Sequence, residues 1–196
     1  MRLASLLLCL TLIGCATPAS KRRQKSDLDR VIEQAIQLLG QREIRVGGQG
    51  FRSDCSGFVT AVYSAIDLPL IDPDEGGISG THTLFRSLAK RGRIRRQNLR
   101  PGDLLFFHNT WDRNGNRLRD DRFSHVAVVE SVDADGTVHF VHFASGQVKR
   151  DVLNLQHRGV AKDPDTGKTW NSHLRRGRGR VLAGQLYFKA GRPLPR

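Results

Sequence analysis

Cys55 stands between the glycine-rich segment Gly47-Gly48-Gln49-Gly50 and an apolar run, Phe58 to Ile66, whose spacing is helical. That placement predicts a cysteine at a helix N-terminus. There, unpaired backbone N–H groups and the positive end of the helix dipole favour thiolate over thiol. An imidazole nearby would accept the thiol proton and make the sulfur a nucleophile. His125 opens the strand-like run His125-Val126-Ala127-Val128-Val129, and His142 lies in Val138-His139-Phe140-Val141-His142-Phe143, with Asp135-Gly136 as the turn between the two. Two strands joined in this way can set two imidazoles side by side, one to take the proton and one to orient the first. Side chains alternate along a strand, so His139 and His142 point to opposite faces and at most one of them can serve, unless a bulge intervenes. Gly57 leaves room for a substrate or another backbone to approach closely. The competing reading is plainer: a buried, inert cysteine starting a core helix, with histidines that are surface or core residues.

These residues must be held by a small number of elements. The chain has 196 residues, 38% of them hydrophobic and 26% charged, which suits one domain and excludes wholesale disorder or a coiled coil. Apolar spacing predicts a helix over 28–39 with Asp27 as N-cap and Gly40 as terminator. A second helix spans 58–66, ended by Pro69, and a short one spans 84–90. The Gly47–Gly50 segment reads as a flexible loop; it lacks the lysine of a phosphate-binding loop. Arg100-Pro101-Gly102-Asp103 is a turn before the strand 104–107. Residues 108–124 form a polar loop, and strands follow at 126–132, 138–143, 148–153 and 181–188. Helices first and hairpin-linked strands afterwards predict an α+β fold with an antiparallel sheet.

In order along the chain, Asp54-Cys55-Ser56-Gly57-Phe58-Val59, Leu99-Arg100-Pro101-Gly102-Asp103-Leu104, His125-Val126-Ala127-Val128-Val129 and Val141-His142 with Ala144-Ser145 resemble the NlpC-type cell-wall cysteine peptidases. The resemblance covers roughly residues 28–153. It implies a papain-like α+β fold with N-terminal helices packed on an antiparallel sheet. It also implies a Cys-His-His triad of Cys55, His125 and His142 that cleaves peptidoglycan stem peptides, commonly at the γ-D-glutamyl-diaminopimelate type of bond, with no metal or organic cofactor. Asp54, Ser56 and Gly57, which flank the cysteine, become candidate substrate-binding residues. Two departures stand out. The aromatic residue common in the family just before the paired glycines is absent from Ile44-Arg45-Val46, and Phe143 intervenes between His142 and Ala144-Ser145. Two alternatives are a non-catalytic wall-binding lipoprotein and a papain-like amidase or acyltransferase with another substrate.

The N-terminus reads as an address. Leu3 to Ile13 is apolar, too short to span a bilayer and of the length of a signal-peptide core. It runs into Leu12-Ile13-Gly14-Cys15, which resembles a bacterial lipobox. The resemblance implies removal of residues 1–14, a lipid on Cys15, and a basic tether over 15–27 ahead of a domain over 28–190 with a basic C-terminal extension. Ala16 in place of Asp implies an outer-membrane lipoprotein facing the periplasm. Cys9 would leave with the signal, so Cys55 would be the remaining free thiol.

Charge points to anionic partners. Lys and Arg number 32 against 19 Asp and Glu, a net charge of +13, and no acid occurs from Thr166 onward. The densest run, Arg175-Arg176-Gly177-Arg178-Gly179-Arg180, suits anionic wall polymers or lipid phosphates; nucleic acid is not expected for an exported protein. Trp111 and Trp170 sit in polar loops, able to stack on sugar rings or to anchor their loops. The loop Asp112-Arg113-Asn114-Gly115-Asn116-Arg117-Leu118-Arg119-Asp120-Asp121 has oxygen side chains at alternate positions and resembles the start of a calcium loop. Phe123 occupies the twelfth position, where an EF-hand has Glu, and three arginines offset the charge. The segment is therefore read as a solvated turn-rich loop, with no metal assigned.

Overall fold

A computed structural model describes residues 25–175 and 179–194. The expected signal segment, Cys15, most of the tether and Arg176-Gly177-Arg178 lie outside these residues. Among the described residues, no helix is long and apolar enough to cross a membrane.

The first helix, α1 (Asp27–Gln37), is capped one residue earlier than the spacing suggested. Ser26 accepts from the Asp29 backbone N–H at 3.1 Å while Asp29 reaches back to the Ser26 backbone, closing a capping box. The glycine-rich segment is a tight hairpin rather than a flexible loop. Strands β1 (Ile44–Val46) and β2 (Gln49–Phe51) pair across Gly47 and Gly48, whose φ angles of +56° and +83° are the left-handed values that such a turn requires. Helix α2 (Cys55–Ser64) follows at once. It buries Phe58, Val59, Ala61, Val62 and Tyr63 and so forms the apolar centre of the domain. Fully burying a Phe or Val side chain of this kind contributes about 1.5–3 kcal/mol.

Helix α3 (Gly80–Lys90), capped by Ser79, lies against α2. The remaining elements are β3 (Ile94–Arg95), β4 (Leu104–Phe107), β5 (His125–Val132), β6 (Thr137–Ala144), β7 (Gln147–Asn154), β8 (His173–Arg175), β9 (Val181–Leu182), α4 (Ala183–Leu186) and β10 (Tyr187–Gly191). The main sheet is six-stranded and antiparallel, in the order β3-β10-β4-β5-β6-β7. The α+β architecture expected from the sequence is therefore present. The last strand differs from its expected span. The stretch 181–188 breaks into β9, a single helical turn and β10, because residues 183–186 bury Ala183, Gly184 and Leu186 against the sheet's second face.

Both faces of the sheet are covered, so the central strands are apolar on both sides. Leu104, Phe106, Val126, Val128 and Val141 meet the helices; Leu105, Phe107, Ala127, Val129 and Phe140 meet the C-terminal segment. The Pro-Gly-Asp turn is clamped to the chain's end. Arg192 grips buried Asp103 with two bonds of 2.8 Å, and the Tyr63 hydroxyl donates to the Gly102 carbonyl.

Candidate active site

The hairpin β1–β2 delivers the chain to Asp54, which caps α2. Its Oδ1 accepts from the Gly57 N–H at 2.8 Å and from the Ser56 hydroxyl at 2.7 Å, and Oδ2 meets Arg52 at 2.7 Å. Burial alone would raise this carboxyl. The Gly57 N–H, the Ser56 hydroxyl and the Arg52 charge outweigh it, so Asp54 titrates below the ordinary carboxylate range. Gly57 faces protein: a Cβ there would collide with the carbonyl of Arg52. Its small size lets the hairpin turn straight into the helix, while Asp54, Cys55 and Ser56 line a cavity of about 840 Å³.

Cys55 is half-buried in that cavity. Its sulfur lies 3.6 Å from Thr81 Oγ1, at the start of α3, and receives the backbone N–H of Val126. The N–H is available because the pairing of β5 with β6 begins only at Val128↔Val141. Burial pushes the thiol up, against the helix-dipole expectation; Thr81 and the Val126 N–H pull it down, and Asp54 adds to the rise. The resting sulfur is thus a thiol. No thiol–imidazole hydrogen bond is formed among the described residues, although His125 lines the same cavity.

The histidines are organised by the alternation of their strands. His125 runs in phase with Ala127 and Val129, and His142 with Phe140, so both rings sit on the sheet's second face. His125 Nε2 lies 2.7 Å from His142 Nδ1, and the rings meet edge to face at 5.0 Å. His139 falls on the opposite side of β6, where it bonds Asp133 at 3.0 Å, away from this pair. Burial, with the neighbouring His142 and Lys149 adding to it and Asp151 opposing it, drives His125 well below the ordinary imidazole pKa, so the ring is neutral.

A residue not anticipated from the sequence completes the set. Asp151 Oδ2 lies 3.0 Å from His142 Nε2 and 2.8 Å from Lys149 Nζ. Burial would raise its carboxyl, but the His142 and Lys149 bonds hold it down at about 2. An ionised carboxylate only accepts, and the tautomers follow from that. With His142 neutral, its proton is on Nε2, its Nδ1 accepts, and His125 donates through Nε2. That leaves the lone pair of neutral His125 on Nδ1. The strand pairing contained the signal: the tight turn at Ser145-Gly146 sets Phe140 opposite Asp151, which puts Asp151 on the face of His142. Thr81 had no such local signal, since α3 brings it to the sulfur only in the folded chain.

The loop 108–124 forms one wall of the cavity, through Thr110, Trp111, Asp112, Arg113, Phe123 and Ser124. Trp111 is 52% exposed, and its indole N–H is tied to the Ser124 carbonyl at 3.1 Å, beside His125. The aromatic surface absent from β1 is present here on a different element. Arg52, Arg113 and Arg175 add positive charge to the rim. Trp170 instead stacks on His157, ring centres 3.8 Å apart, which anchors its loop.

A helix that presents a cysteine at its N-terminus, set against an antiparallel sheet that carries two bonded imidazoles, defines an α+β protein with a thiol–imidazole cleft. The chain belongs to the NlpC/P60 family, whose model matches residues 41–162. Members of that family are typically cysteine peptidases of the bacterial cell wall, and membership points to a cell-wall peptidase. A search of curated proteins gives no match.

Proposed function

We propose that this protein is a peptidoglycan endopeptidase, held to the membrane by a lipid on Cys15, that cleaves a stem-peptide amide of the γ-D-glutamyl-diaminopimelate type. What carries the reading is the single cleft shared by Cys55 and the proton-accepting His125 in a chain of this family. Cys55 passes its proton to His125 Nδ1 and attacks the carbonyl carbon. The first N–H of α2 stabilises the oxyanion. His125, held by His142, then protonates the leaving amine, and water releases the acyl group by the reverse path. Asp54 and Ser56 touch the substrate at the cavity floor, with Gly57 behind them. Trp111 offers an aromatic platform, and Arg52, Arg113 and Arg175 meet the carboxylates of the stem peptide. The positive charge of the run 175–180 attracts anionic wall polymers or lipid phosphates, and the site of action is the periplasmic side of the outer membrane. No cofactor takes part.

Digestion of purified sacculi by the lipid-free domain, followed by muropeptide analysis, tests the reading. Cleaved stem peptides with the native chain and none with Cys55→Ala are expected; equal cleavage by both would sink it.

One observation favours a second reading, a wall-binding protein without turnover: the sulfur bonds Thr81 rather than an imidazole. An amidase or acyltransferase would share the first reading's chemistry. Alkylation near neutral pH separates the classes. A Cys55 that reacts no faster than a free thiol, on a protein that is retained by sacculi, would favour binding alone.

A further inference from the structure

Positive charge is not spread evenly over this protein. Between Glu75 and Asp103 the chain holds no acidic residue and seven basic ones, five of them arginines within 91–100. The other two are already paired: Arg86 meets Glu75 at 2.6 Å, and Lys90 meets Asp72 at 3.2 Å. Arg91, Arg93, Arg95, Arg96 and Arg100 form no ion pair among the described residues. All but the half-buried Arg93 are exposed. Asp103, the acid that follows them, is buried and neutralised by Arg192.

The fold gathers these five arginines on one border of the domain. Strand β3 is an edge strand, paired only with β10. Arg192 pins the backbone on both sides of it. Its N–H donates to the Arg93 carbonyl at 2.8 Å, and its guanidinium donates to the Asn98 carbonyl and to Asp103, each at 2.8 Å. The Tyr187 hydroxyl donates to the Arg96 carbonyl at 3.3 Å. Residues 93–103 are thus held as one strip along the sheet's edge. Charge on an edge strand repels stray strands, which accounts for Arg95. It does not account for the four arginines that flank the strand. The strip also stands apart from the cleft. None of its residues lines the cavity, and three strand steps, roughly 14 Å, separate β3 from β5.

The same border receives the start of the domain. Leu28, the second residue of α1, packs at Gly102, where a Cβ would meet it at 3.0 Å, two residues beyond Arg100. Cys15 precedes Lys25 by ten residues, a span of at most about 35 Å. We propose that the 91–100 border is a membrane-facing surface whose arginines bind the phosphates of anionic phospholipid. The choice of a bilayer over another polyanion rests on the proposed lipid at Cys15, because a chain anchored there enters the domain beside this border. A guanidinium suits phosphate, whose oxygens it can bond in pairs. Attraction between exposed charges fades beyond about 8 Å at physiological salt. The anchor therefore supplies proximity, and the arginines set which side of the domain meets the headgroups. Docking by this edge leaves the cleft free for the wall.

The test is sedimentation with vesicles, using the chain from Ala16 onward, which lacks Cys15 and keeps every described residue. Vesicles of phosphatidylcholine mixed with phosphatidylglycerol should retain it, and phosphatidylcholine alone should not. In about 1 M salt, where the screening length is about 3 Å, retention should vanish. Arg95→Gln, Arg96→Gln and Arg100→Gln together should weaken binding about 100-fold, roughly fivefold per arginine, with the melting temperature unchanged. Arg42→Gln, Arg45→Gln and Lys162→Gln remove the same charge from other exposed positions and should weaken it far less. Amide exchange over 91–100 should slow on the vesicles, a readout that needs no variant. No retention on the mixed vesicles, or an equal loss in the two triple variants, overturns the proposal. So does retention on sacculi alone that the first triple variant abolishes, which would give the border to a wall polymer. Incorporation of labelled palmitate by the native chain and not by Cys15→Ser tests the anchor separately. A failed anchor and a failed surface are thereby told apart, and neither measurement depends on hydrolysis.

Discussion

His142 Nδ1 holds His125 Nε2 at 2.7 Å and His142 Nε2 is itself held by Asp151 at 3.0 Å, so with His142 neutral one carboxylate sets which nitrogen of His125 carries the proton. Losing His142 should cost about 10²–10⁴ in kcat/KM, the range for a triad member that orients a base. Asp151→Asn keeps the shape but allows the wrong tautomer. A charge-assisted bond is worth about 1.5–3 kcal/mol, so roughly a 10- to 100-fold loss is expected. Nitrogen-15 spectra of the imidazoles provide the check. A native Nδ1-lone-pair tautomer of His125 that persists unchanged in Asp151→Asn would contradict the assignment.

Burial sets the acid side of the pH profile. His125 titrates well below the ordinary imidazole value, so the neutral base persists under acid conditions. Activity should hold as pH falls through about 6.5, the ordinary imidazole value, and drop only further down. An acid limb at or above that value would argue against His125 as the base.

The same shift has a thermodynamic sign. The unfolded chain binds a proton at His125 at higher pH than the folded chain does, so this group's contribution is fully present above about 6.5 and is lost as pH falls through the folded pKa. Asp151, held at about 2, adds a second loss as pH falls from its unfolded value of about 3.9 through that folded value. Melting curves between pH 7 and 4 should show His125→Gln flatter than the native chain. Parallel curves would refute the linkage.

Thr81 partners the sulfur and draws its pKa down against the rise caused by burial. Thr81→Val should therefore raise the thiol pKa and slow iodoacetamide alkylation near neutral pH by about tenfold, the equivalent of one lost hydrogen bond. Faster alkylation would mean that the hydroxyl shields the sulfur rather than tuning it.

Asp103 and Arg192 form a buried two-bond pair that ties the Pro-Gly-Asp turn to the chain's end. Removing one partner strands the other, at a cost of about 3–5 kcal/mol. Denaturant unfolding of Asp103→Ala should show that loss with an unchanged m-value, whereas a loss under about 1 kcal/mol, the range of an exposed pair, would show the pair to be solvent-screened.

The sequence by itself determined the local elements and their chemistry. Helical spacing after Asp54-Cys55-Ser56-Gly57 fixed where the cysteine sits on its helix, and strand alternation separated His139 from His142; neither needs knowledge of the rest of the chain. Gly47-Gly48 fits a flexible loop and a hairpin turn alike, and only the pairing of the flanking strands decides for the β1–β2 hairpin. Tertiary structure decided what depends on distant packing. Thr81 reaches the sulfur only when α3 packs on α2, and β10 enters the sheet between β3 and β4, where Arg192 and Asp103 meet across the chain. Burial also reversed the expected ionisation. A helix N-terminus favours a thiolate, but enclosure removes the water that would solvate its charge. That balance depends on neighbours brought together by the fold, and their spacing along the chain does not encode it.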